Sequence, residues 1–131
     1  MNEKELNLLV DNLIIKSSNE DLYNGLSLKQ KIIGALELLI GTATRSGVEV
    51  FFDSSNKYLW EEALTGLKML NASISMGCYK VVLGNVKLKK YKPTDFKKLQ
   101  TALVINDYDM IYDGIRKYVS DNSNEFKLKN N

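Results

Sequence analysis

Ser46-Gly47-Val48-Glu49-Val50-Phe51-Phe52-Asp53-Ser54-Ser55-Asn56-Lys57-Tyr58-Leu59-Trp60-Glu61-Glu62-Ala63-Leu64 sets the architecture expected for the whole chain. An apolar, aromatic run breaks into a polar knot at Asp53 to Asn56. Helical spacing then restarts at Trp60, Ala63, Leu64, Leu67 and Leu70 and carries on to Asn71-Ala72. This predicts a short helix over about Val48 to Phe52, a tight turn, and a longer helix over about Lys57 to Leu70. Phe51, Phe52 and Trp60 are the largest apolar group in the chain, each able to contribute roughly 2 to 3 kcal/mol on burial. They are expected at the centre of the core.

Working outward toward the N-terminus, Leu6, Leu9, Val10, Leu13 and Ile14 follow the three-and-four spacing of a helix face, with Asn2 placed as its N-cap and Glu5 in its first turn. Ser17 to Asp21 and Asn24-Gly25 read as a loop, pinned to the core by Leu22 and Tyr23. Ser27-Leu28-Lys29-Gln30 has the form of a capping box. The helix it opens runs to about Ile40 and buries Leu28, Ile32, Ile33, Leu36, Leu39 and Ile40. Gly34 inside it costs on the order of 1 kcal/mol relative to alanine in an isolated helix, so a close neighbouring backbone is expected there. Gly41 to Gly47 reads as a polar linker.

Toward the C-terminus, Ile74, Cys78, Val81 and Val82 keep helical spacing up to a stop at Gly84-Asn85. The β-branched Val81-Val82 pair leaves a strand over Tyr79 to Leu83 as the alternative for segment 72–84. Asn85 to Lys92 reads as a loop, and Pro93-Thr94-Asp95 is a helix start because proline fits the first turn. Phe96, Leu99, Ala102 and Leu103 then face inward. After a break near Asn106 the pattern resumes at Tyr108, Ile111, Tyr112, Ile115, Tyr118 and Val119. The polar tail over 121–131 is expected to fray, with Phe126 as its one candidate for docking.

A chain of 131 residues, 44% of them hydrophobic, is the size of one domain with one core, spanning 1–131. The expected fold is all-α, a single compact body of about six or seven helices. No apolar run approaches the ~20 residues that span a bilayer. The first residues, Met1 to Glu5, carry acids where a secretory signal carries basic residues, and the lone Cys78 has no internal disulfide partner. A cytoplasmic location with no membrane role is expected. The net charge of +2 is near balance, favouring neither a dedicated nucleic-acid binder nor an acidic decoy. There is no histidine, which removes histidine-based catalytic triads and dyads and the commonest metal ligand.

Leu36 to Ile40, Ser46-Gly47, Glu49-Val50-Phe51-Phe52, Asp53-Ser54-Ser55-Asn56, Leu64 to Ala72, Tyr108 to Tyr112 and Tyr118-Val119 together resemble a known family. It is the family of small bacterial helical domains named after DNA mimic protein nineteen, a domain of unknown function, and the resemblance covers about residues 20–126. Where the family has an Asn-Ser-Ser-Gly turn, this chain has Asp53 and Asn56 at the two ends. Only one glycine of the family's Gly-Gly pair is present, at Gly47. The resemblance implies an all-helical fold, no cofactor, and a role in binding other macromolecules. The namesake is an acidic mimic of DNA, an activity that the charge balance here does not support.

Four groups of residues are candidates for function. Asp53, Ser54, Ser55 and Asn56 form either a protein-binding turn or simply a cap for the helix that follows. Lys80, Lys87, Lys89, Lys90, Lys92, Lys97 and Lys98, interleaved with Tyr79, Tyr91 and Phe96, form either a nucleic-acid surface or a solvated loop and helix start with the aromatics turned inward. Asp107, Asp109 and Asp113 lack the ligand alternation of a calcium loop and read as solvated faces. Cys78 reads as a small buried hydrophobe, and Tyr108, Tyr112 and Tyr118 as core and interface.

The expected function is therefore a non-enzymatic adaptor acting by protein–protein contact, with a homodimer as one form and no catalytic residue, metal or cofactor. A nucleic-acid-associated protein working through 80–98 is the alternative. A hydrolase using carboxylates alone is the third class, unsupported by any paired-carboxylate motif or phosphate loop.

Overall fold

The computed structural model describes residues 1–127. Among them there is no strand. Eight α-helices, two 3-10 segments and one π-helical turn follow one another as α1 (Glu3–Ser17), α2 (Glu20–Asn24), α3 (Leu28–Arg45), the 3-10 segments Val48–Phe52 and Ser54–Leu59, α4 (Trp60–Met69), α5 (Ser73–Lys87), α6 (Pro93–Thr101), the π turn Ala102–Asn106, α7 (Tyr108–Asp121) and α8 (Ser123–Phe126). The all-α expectation holds, with two short helices, α2 and α8, where loop and tail were expected. Segment 72–84 is helical, not a strand.

α3 is the axis. It packs against α1, α4, α7, α8, the first 3-10 segment and the π turn, and Ile33, Ala35, Leu36 and Leu39 are fully buried along it. Its start is the expected capping box, with the Ser27 hydroxyl accepting from the Gln30 amide and the Gln30 side chain accepting from the Ser27 amide. The helix does not end at Ile40. It continues through Gly41 to Arg45, so the expected linker shrinks to Ser46-Gly47, where Gly47 has a φ of 94° that favours glycine. Leu28, expected inside, lies on the solvent side of the first turn, and Leu22 is exposed while Tyr23 alone pins α2.

Gly34 does mark a close approach, to a side chain rather than to backbone. A Cβ there would run into Ser17 Oγ at the end of α1, so α1 crosses α3 at a position without a side chain. Tyr58 secures the same corner, its hydroxyl donating to the Ser17 carbonyl at 2.8 Å.

Phe51, Phe52 and Trp60 are buried as expected. Phe52 is a ring hub, with Phe51, Trp60, Tyr79 and Phe96 all within 6.0 Å centroid to centroid. The polar edges of the cluster are satisfied internally. The Trp60 indole N–H donates to the Phe51 carbonyl at 3.0 Å, and the Tyr79 hydroxyl donates to the Trp60 carbonyl at 2.7 Å.

α5 is rotated relative to the expected face. Ser75, Tyr79, Val82, Leu83 and Val86 point inward, while Ile74 and Val81 are exposed and Cys78 is only partly buried. The helix also runs past Gly84-Asn85 and stops at Lys87. The turn is closed by Lys89, at a φ of 56°, with Lys89 N–H donating to Val86 and Lys90 N–H to Asn85. α4 ends the same way on Asn71.

Asp107 departs most from expectation among the acids. It is buried, and its carboxylate accepts from the Ser75 amide at 2.8 Å, capping the N-terminus of α5 where Ala72 has no side-chain acceptor. Asp107→Ala strands that buried amide and is expected to cost about 1 to 3 kcal/mol. The measurement is the urea midpoint at constant m-value; a shift under about 0.5 kcal/mol would mean the cap is dispensable.

Over its described part the tail is helical and packed. Asp121 belongs to α7, and Phe126 is 1% exposed, edge-on to Tyr118. Gln30 Nε2 donates to the Glu125 carbonyl at 2.8 Å and Lys29 pairs with the Glu125 carboxylate. The remaining part of the expected frayed tail, 128–131, lies outside the described residues.

Candidate functional site

The polar turn and the lysine-rich stretch, far apart in sequence, meet at one cleft of about 620 Å³. One wall is the pair of 3-10 segments, presenting Glu49, Val50, Asp53, Ser55 and Asn56. The other is the entry to α6, presenting Tyr91 and Pro93, and the floor is formed by Phe52 and Phe96. A smaller hollow of about 280 Å³, bordered by Gly47, Lys97 and Gln100, adjoins it and shares Glu49, Val50 and Phe96.

Short-range chemistry explains each wall. A 3-10 segment buries a narrow stripe, here Val48, Phe51 and Phe52, which leaves Glu49 and Val50 facing out. In the turn, Asp53 Oδ1 accepts from both the amide and the hydroxyl of Ser55, at 2.9 and 2.6 Å. Those two bonds hold the Asp53 carboxyl below the usual carboxylate range. Asn56 Nδ2 donates back to the Val50 carbonyl at 3.3 Å. Asp53 is thus a cap, and the cap's by-product is a turn locked in place beside the cleft. Ser54 is exposed but does not line it.

Across the cleft, Phe96 and Tyr79 turn inward as the solvated-loop reading expects. Tyr91 does not. It is 65% exposed and stacks on Phe96 with ring planes 14° apart. The lysines also divide. Lys87 pairs with Glu61 on α4 and so leaves the group, whereas Lys89, Lys90, Lys92, Lys97 and Lys98 are all exposed and take no side-chain partner among the described residues.

The separation of the walls is set by a residue that sequence reasoning missed. Gln100 on α6 accepts from the Val48 amide at 2.8 Å and donates to the Ala43 carbonyl at 2.7 Å. One amide therefore bolts α6 to both the end of α3 and the first 3-10 segment. Glu49, Val50 and Pro93 were also missed as lining residues; the only signal was an apolar run too short to be buried on both sides.

The other candidates stay apart from the cleft. Asp107 is the buried cap of α5, while Asp109 and Asp113 are exposed on α7. Among the described residues no group of three potential metal-binding side chains converges. Of the tyrosines expected as core and interface, Tyr112 is exposed and lies under the Arg116 guanidinium, and Tyr108 stacks on it. No helix among the described residues is long and apolar enough to cross a membrane. No protein-family model, curated protein or solved structure matches the chain.

Proposed function

We propose that this domain is a protein-binding module that works without catalysis, in the cytoplasm, by seating an apolar side chain of a protein partner in the Phe52–Phe96 cleft. The observation that carries the reading is the cleft's construction: a buried aromatic floor open to solvent between a turn locked by its own hydrogen bonds and an exposed tyrosine. Pre-formed walls reduce the ordering cost of binding, and tyrosine is a favoured residue where one side chain must supply both apolar area and a hydroxyl. Binding suits the cleft better than chemistry. The Asp53 carboxylate is occupied by Ser55, and a chain without histidine offers no base near neutral pH beside it. The resemblance to the DNA-mimic family agrees with a small helical domain that works through its surface.

The nucleic-acid reading has one observation in its favour, the exposed Tyr91 set among unpaired lysines. Against it, Glu49 and Asp53 line the same cleft and would repel a phosphodiester. The test is a photo-crosslinking residue placed at Tyr91 in the native host, with the same residue at Lys4 as a control site. A protein adduct at position 91 alone supports the proposal. A nucleic-acid adduct, or equal adducts at both sites, overturns it.

A further inference from the structure

We infer that the partner segment received by the cleft carries an arginine beside its apolar anchor, the anchor resting on the Phe52–Phe96 floor and the guanidinium meeting the carboxylates of Glu49 and Asp53; this rests on the protein-binding reading above and narrows it. The lining selects the charge. It holds two carboxylates, Glu49 and Asp53, and no lysine or arginine. Glu49 has no hydrogen-bond or ion-pair partner among the described residues. Asp53 spends Oδ1 on Ser55, and those bonds keep it ionised near neutral pH.

Hydrogen-bonding capacity points the same way. On the 3-10 wall the Ser55 hydroxyl donates to Asp53 and Asn56 Nδ2 donates to the Val50 carbonyl. What that wall still offers is chiefly accepting: the Glu49 carboxylate, Asp53 Oδ2 and Asn56 Oδ1. An occupant rich in donors is therefore required. Arginine fits better than lysine, because its guanidinium presents five donors in a planar fork, is weakly hydrated and stacks on aromatic faces, and three of the lining residues are aromatic. Its methylenes can cover apolar lining such as Val50 and Pro93 while the head meets the carboxylates. A cleft of about 620 Å³ exceeds what one aliphatic side chain fills, which leaves room for the anchor and the arginine together. The neighbouring lysines limit the charge to one. Lys89, Lys90 and Lys92 flank Tyr91 in the sequence, and Lys97 borders the smaller hollow without pairing with Glu49. They repel a basic run, so a single arginine among neutral neighbours is the segment that fits.

The experiment is selection of a random peptide display library on the purified 131-residue protein, with amide shift mapping of the enriched peptides on the labelled chain. The expected result is enrichment of peptides with one arginine next to a large apolar residue, shifting amides of 49–56 and 91–96. Citrulline in place of that arginine keeps the shape without the charge and is expected to weaken binding about tenfold. Glu49→Gln is expected to do the same while its melting temperature stays that of the parent. The two changes together should cost little more than either alone, since each removes the same pair. Enriched peptides that map to the cleft without an arginine, or whose binding is unmoved by citrulline or by E49Q, overturn this inference and leave the protein-binding reading standing. Selection that maps elsewhere or enriches nothing overturns both.

Discussion

Phe52→Ala is expected to lower stability by about 3 to 5 kcal/mol. Truncation removes the ring against which Phe51, Trp60, Tyr79 and Phe96 all rest. These partners come from the first 3-10 segment, α4, α5 and α6, so no single element can move in to fill the space. The loss is one of lost contacts on several sides at once, which is why the full cost of a core aromatic is expected. Equilibrium urea unfolding is the measurement. A loss of under about 1.5 kcal/mol would mean that the cluster repacks around the hole, and that Phe52 is not its hub. Tyr91, exposed and stacked only on Phe96, is the residue to alter when binding is to be separated from folding.

Glu37→Gln is expected to make the protein more stable at pH 8 and to leave it nearly unchanged at pH 4. Glu37 is partly buried on α3, and loss of hydration pushes its carboxyl up to about 7 from an ordinary 4.5; the Arg116 guanidinium pulls it down and the Asp11 carboxylate pushes it further up. Arg116 is only partly available, since it also pairs with Glu3 at 3.5 Å and lies over the Tyr112 ring. Between about 4.5 and 7 the folded protein holds this proton more tightly than the unfolded chain does. Stability from this group is thus full below 4.5 and is lost as pH rises through 7. Glutamine keeps the shape without the charge. The gain at pH 8 is expected to be roughly 1 to 3 kcal/mol, against almost none at pH 4. Unfolding at the two pH values checks it, and an equal effect at both would show that shape and not ionisation is what the site resists.

Much of the fold was legible because hydrophobic spacing and caps agree. Asn2, Ser27 and Pro93 open α1, α3 and α6 as read, and the Phe51, Phe52 and Trp60 cluster lies inside. What escaped reading was written in residues far apart. α5 carries apolar side chains on two neighbouring faces, and periodicity alone does not say which of them meets the core; the face that does carries Ser75, whose backbone amide is received by Asp107, far away in sequence. The end of α5 was hidden because the left-handed closing position is held by Lys89 and not by the nearby glycine. The cleft was half legible. Both its walls were singled out as candidate stretches, but their meeting depends on Gln100, a residue with no local signature.

Gln30 opens the central helix with its side-chain oxygen and grips the Glu125 carbonyl with its nitrogen, while Phe126 fills the neighbouring gap. During synthesis that nitrogen therefore waits for a residue 95 positions further along the chain. A helix boundary specified early in the chain is thus clasped only once Glu125 has emerged, so the nascent domain cannot be fully closed before then.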